Sequence, residues 1–104
     1  MTLQPSIIAP EGELDLATVG AFRHALSDAA GRGPDPLVID LSEVSFIDSS
    51  ALGAMVEAHD RLRRERRRLS VVAPPGSAAA VALELTGLRG RLPVFETSDA
   101  ALDA

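Results

Sequence analysis

Phe46-Ile47-Asp48-Ser49-Ser50-Ala51-Leu52-Gly53 joins two patterns: the apolar run Leu37-Val38-Ile39-Asp40-Leu41 before it and a long helical periodicity after it. A strand leaves a core, turns on Asp-Ser-Ser, and delivers two hydroxyls to a helix N-terminus. Such a terminus offers free backbone N–H groups and the positive end of the helix dipole, so added negative charge is tolerated there.

Leu37 to Leu41 reads as a buried strand. The helix from Ser49 to about Arg67 has Leu52, Met55, Val56, His59 and Leu62 on one face, at intervals of three and four. Upstream, Ser6-Ile7-Ile8-Ala9 is a short strand that Pro5 and Pro10 confine to a sheet edge. Glu11-Gly12 signals a turn. Glu13-Leu14-Asp15 then leads into a helix from about Leu16 to Ala30, with Leu16, Val19, Phe22, Ala25 and Leu26 inward and Asp15 as its cap. Gly31 to Pro36 breaks that pattern. Downstream, Leu69 to Ala73 is a strand closed by Pro74-Pro75-Gly76. Ser77 caps a third helix to about Thr86, with Val81, Leu85 and Leu88 inward and Gly87 and Gly90 ending it. Leu92 to Glu96 is a last strand, and Ser98 to Leu102 a short helix. Alternating strands and helices argue for an α/β fold of parallel strands with helical crossovers.

Composition narrows the classes. A length of 104 residues suits a single domain over 1–104, and 46% apolar residues supply one core. Phe22, Phe46 and Phe95 are the only aromatics, so that core is aliphatic. No apolar run reaches the ~18 residues of a membrane span, so no membrane insertion is expected, and Met1-Thr2-Leu3-Gln4-Pro5 does not read as a signal peptide. The absence of cysteine excludes thiolate chemistry and fits a cytoplasmic setting. His24 and His59 are too few for a histidine-rich metal site. The net charge of −5 argues against direct nucleic-acid binding, which depends on neutralising phosphates.

Taken as residues alone, Ser49 has the plain reading of an N-cap and Ser50 that of a first-turn residue. Yet Asp48, Ser49 and Ser50 offer three capping groups where one suffices, just past the carboxyl end of a strand, where α/β sheets place functional loops. Serine catalysis has no base, because His59 lies roughly 15 Å along the same helix, and the Gly-x-Ser-x-Gly elbow is lacking. Asp15 and Asp48 read equally as two caps or as a pair shaping one surface. A magnesium site made from them is the weaker reading, since no phosphate-binding glycine loop accompanies them. The arginines from Arg61 to Arg68 surround a helix C-terminus, where cations complement the dipole.

Together with Gly12-Glu13-Leu14-Asp15 upstream, the octet resembles the STAS domain of bacterial anti-sigma factor antagonists. The resemblance spans nearly the whole chain, with short motifs in order and at the expected spacing. It implies a STAS-type α/β fold, a small, mostly parallel sheet of about four strands with about four helices packed mainly on one side. It implies that Ser49 is the phosphoacceptor, with Ser50 as the alternative, and that Asp15, Asp48, Ser50, Ala51, Leu52 and Gly53 form a partner-binding surface. It also implies partner switching. The unphosphorylated protein binds an anti-sigma factor that is itself a serine kinase, freeing the sigma factor; phosphorylation ends that binding and a serine phosphatase restores it. Catalysis then belongs to the partners, and this chain needs no cofactor or metal. The rivals are a STAS accessory subunit of a membrane lipid or anion transporter and a scaffold subunit of a stress-sensing complex.

The chain departs from the family pattern in two places. Ala51 stands where the family usually has glycine, which stiffens the first helical turn and sets a methyl group where a partner backbone would approach. Gly53 is retained and suits close helix packing. The family's first strand is missing or very short, leaving an open sheet edge suited to pairing with a second copy of the chain.

Overall fold

The computed structural model describes residues 6–32 and 35–104. In chain order the first elements are β1 (Ser6–Ile8), β2 (Gly12–Leu14), α1 (Val19–Arg32), β3 (Leu37–Asp40) and β4 (Val44–Ile47). Then come α2 (Ser49–Arg64), β5 (Leu69–Val72), α3 (Ala78–Thr86), a 3-10 turn at Leu88–Gly90, β6 (Val94–Phe95) and α4 (Ser98–Asp103). β1, β3, β5 and β6 form a four-stranded, wholly parallel sheet in the order β1-β3-β5-β6. The fold is the expected α/β arrangement.

The two faces of that sheet are unequal. Leu37, Ile39, Leu69 and Val71 join one core with Phe22 and Leu26 of α1, Leu52, Met55 and Leu62 of α2, and Leu83 of α3. Val38 and Val72 face the other way, where Ala101 of α4 and Phe95 cover them. Three helices therefore share one face and α4 alone covers the other. Leu37, Val38 and Ile39 are each 0% exposed, as a strand covered on both faces requires. Each such side chain contributes about 1.5–3 kcal/mol by leaving water.

The strand that delivers the octet is not the expected one. Leu37–Asp40 ends, the chain turns, and a separate short strand, β4, carries Val44–Ile47 to Asp48. β4 pairs in parallel with β2, so Gly-Glu-Leu lies beside Val-Ser-Phe-Ile in a second, two-stranded sheet. Strands of three and four residues show no period, and Gly12, at φ 77°, with a register shift after it, hides β2 further. Ahead of the Gly-Glu-Leu strand stands one three-residue strand, β1, very short as expected; residues 1–5 lie outside the described residues.

Several boundaries and faces differ from expectation. α1 starts at Val19 rather than Leu16, and Leu16 is 77% exposed. α2 ends at Arg64 rather than Arg67 because Arg66 turns left-handed (φ 58°). The Arg66 N–H then donates to the Arg63 carbonyl at 3.0 Å and the Arg67 N–H to the Leu62 carbonyl at 2.8 Å, a Schellman closure without glycine. α3 has the expected Ser77 cap and the Gly87 left-handed stop, but its inward face is Ala79, Ala80 and Leu83. Val81 and Leu85 point outward instead, the latter 83% exposed. That helix is apolar all round, so periodicity alone could not select its face. The last strand shrinks to Val94–Phe95, while α4 starts at Ser98 as expected, with Thr97 as its cap.

Three of the six arginines from Arg61 to Arg68 make side-chain contacts within the fold. Arg67 donates to the Ala30 carbonyl of α1 and lies 3.5 Å from Asp35 and 3.6 Å from Glu65. Arg68 donates to the Ala104 carbonyl and Arg61 pairs with Glu65 at 3.5 Å.

Candidate functional site

The start of α2 is built by Asp48. Its backbone is extended (φ −108°, ψ −179°), and its Oδ1 accepts from the Ser50 N–H at 3.0 Å and the Ala51 N–H at 3.3 Å. The Ser50 hydroxyl donates to the same oxygen at 2.5 Å. The helix is therefore capped by the aspartate, and Ser49 is the first helical residue rather than the cap. Ser49 is exposed and takes no part in this network, whereas Ser50 is half-buried and its hydroxyl is engaged. The Ser50 hydroxyl holds the Asp48 carboxyl below its ordinary value. Desolvation opposes this, and backbone N–H groups of Ala51, Ser50 and Leu16 assist it.

Asp15 reaches the same end of the molecule by a different route. β2 runs beside β4, and the Asp48 N–H donates to the Leu14 carbonyl at 3.0 Å. The chain then turns on Asp15, whose Oδ1 accepts from the Ala17 N–H at 3.0 Å and the Thr18 N–H at 3.1 Å. Thr18 closes the corner, its hydroxyl accepting from the Asp15 N–H and donating to the Glu13 carbonyl, each at 2.9 Å. Asp15 thus closes the turn ahead of α1 rather than capping a helix that starts at Leu16. Thr18 escaped the sequence reading, although Asp15 and a hydroxyl three residues on is the spacing of a side-chain-locked turn.

The remaining expected surface residues divide. Ala51 is 0% exposed and Leu52 3%, both within the main core, so neither side chain is presented to a partner. This corrects the placement of the Ala51 methyl at a partner's approach; it packs inward because the first turn of α2 leans on the core side of the sheet. Gly53 is half-buried, and a Cβ added there would meet nothing within 4 Å. The expected role of Gly53 in close helix packing is therefore not what the fold requires of it. Phe46, three residues before Ser49, and Leu16, whose backbone N–H reaches the Asp48 carboxylate, by contrast stand exposed, at 49% and 77%.

Among the described residues, no group of three or more His, Asp or Glu side chains is arranged to hold a metal ion. No described helix is long and apolar enough to cross a membrane. A cap, an exposed hydroxyl on the first helical residue and a locked acidic corner make a surface suited to recognition.

Fold and sequence together place the chain in a class. The model of the STAS domain matches residues 2–101, and the chain belongs to that family. Among its relatives, the anti-sigma-F factor antagonist RsfB of Mycobacterium tuberculosis is 31% identical over 97 residues, covering 93% of this chain and 78% of that protein. The crystal structure of an anti-sigma factor antagonist from Mycobacterium paratuberculosis matches with a TM-score of 0.85 at 34% identity, covering 93% of this chain and 81% of that one. SpoIIAA in its unphosphorylated form has a TM-score of 0.72 at 23% identity, covering 99% of this chain and 91% of that one, and shares the fold.

Proposed function

We propose that this chain is a cytoplasmic anti-sigma factor antagonist, a single STAS domain that works by partner switching. Unphosphorylated, it binds an anti-sigma factor serine kinase and so releases the sigma factor. Phosphorylation of Ser49 ends the binding, and a serine phosphatase restores it. The observation that carries the reading is the contrast at the start of α2, where Ser49 is exposed outside the capping network while Ser50 donates to Asp48. The names of RsfB and of the Mycobacterium paratuberculosis protein support the role.

The physics of the switch follows from that placement. Phosphate adds roughly −1.5 to −2 charges and three acceptors. The N-terminus of α2 receives such charge well, so the fold is kept. At an interface the same dianion meets Asp48 and Asp15 and must shed water, so binding is lost. β1, at the edge of the four-stranded sheet, is in the same proposal the surface through which two copies would pair.

The test is incubation with purified anti-sigma kinases, ATP and magnesium, followed by peptide mass spectrometry. Phosphate is expected on Ser49 and none on the Ser49→Ala variant. Ser49→Asp should weaken kinase binding while its circular dichroism stays that of the wild type. Label confined to another residue, or unchanged affinity of Ser49→Asp, would refute the switch.

A further inference from the structure

We propose that Leu16 and Phe46 are the apolar anchors by which the anti-sigma partner grips the Ser49 end of the chain. The proposal rests on the partner-switching reading and names the contacts that give it affinity.

Leu16 is 77% exposed and Phe46 49%, so neither stabilises this chain by burial as the core residues do. Phe46 belongs to the small sheet and Leu16 to the corner that leaves it. Phe46 lies on β4 opposite Glu13, and Leu16 sits in the turn that follows β2. That turn is stiff: Asp15 and Thr18 close it from both sides. The Asp48 N–H fixes its approach through the Leu14 carbonyl at 3.0 Å. A leucine held on a rigid backbone loses little freedom on docking, which is the condition for an efficient anchor.

The surroundings select the occupant. No arginine stands between Glu11 and Phe22, or between Asp35 and Asp60, while Glu13, Asp15, Glu43 and Asp48 do. Leu16 next to Asp15 and Phe46 opposite Glu13 are apolar side chains flanked by carboxylates, which repel nucleic acid and anionic lipid and suit an apolar pocket on a protein. This arrangement also explains why one phosphate suffices as a switch. A dianion on Ser49 would have to be desolvated inside an apolar contact already bordered by like charge, which opposes docking without any change of fold.

Each purified anti-sigma kinase of the source genome is titrated with the unphosphorylated chain and its variants. Leu16→Ala and Phe46→Ala should each weaken binding about ten- to a hundredfold, the loss of one buried large apolar side chain. Leu85→Ala, an equally exposed apolar truncation on α3, should change it by less than about twofold. Leu16→Ala should melt with the wild type because its side chain is exposed, so lost binding cannot be put down to misfolding. If Ser49→Asp weakens binding while Leu16→Ala and Phe46→Ala bind normally, the anchors are refuted and the switch stands. Loss with Leu85→Ala equal to that with Leu16→Ala would also refute them. If wild type and Ser49→Asp bind alike, or no kinase binds, the switch itself falls and the anchors fall with it.

Discussion

Replacing Ala51 by glycine is, in this structure, a stability experiment. Ala51 is in the first turn of α2, its N–H donates to Asp48 at 3.3 Å, and its side chain is 0% exposed in the main core. Glycine in a helix is about 1 kcal/mol less favourable than alanine, less at a first-turn position. Removing one buried methyl-sized group adds about 0.8 kcal/mol. The sum is a loss of roughly 1–2 kcal/mol, which for a domain near 100 residues lowers Tm by roughly 5–12 °C. Thermal and urea unfolding followed by circular dichroism measure it directly. Because the methyl faces inward, the phosphorylation rate of Ser49 well below the melting temperature should be unchanged. A stability loss under about 0.5 kcal/mol, or a rate changed severalfold at unchanged stability, would refute the packing assigned to Ala51.

Three further outcomes are expected. Arg66→Gly should stabilise the chain by about 0.5–1 kcal/mol, because Arg66 is left-handed at φ 58° where glycine carries no Cβ penalty; urea midpoints at constant m-value check it. Asp48 should titrate below its ordinary value by NMR, and Ser50→Ala should move it upward by removing the hydroxyl that lowers it most. Since the folded value is the lower one, ionised Asp48 stabilises the native state fully above the unfolded carboxyl's range near pH 4, and that contribution disappears as pH falls through the folded value. The advantage of wild type over Asp48→Asn should therefore shrink on acidification.

Much of this was legible in the chain because it is local. Asp48 caps α2, Ser77 caps α3 and Gly87 ends it through contacts spanning only a few residues, and local contacts leave fixed spacings in a sequence. The alternation of strands and helices was equally plain, since the Leu37–Asp40 and Leu69–Val72 runs are apolar enough to announce strands buried on both faces. What failed was whatever required a neighbour. Leu16 and Leu85 fit an amphipathic period as well as Val19 and Leu83 do, and only the packed sheet shows which of them meets the core.

Phosphoacceptor candidates followed the same division. That Asp48-Ser49-Ser50 opens a helix at the edge of an α/β core could be read from the chain alone, because capping chemistry and periodicity are properties of a short stretch. Which hydroxyl stays exposed, the inward turn of Ala51 and the place of the Asp15 corner beside Asp48 all depend on how the elements pack. That last arrangement depends on β2 pairing with β4 across the whole of α1 and β3, a contact no local spacing encodes.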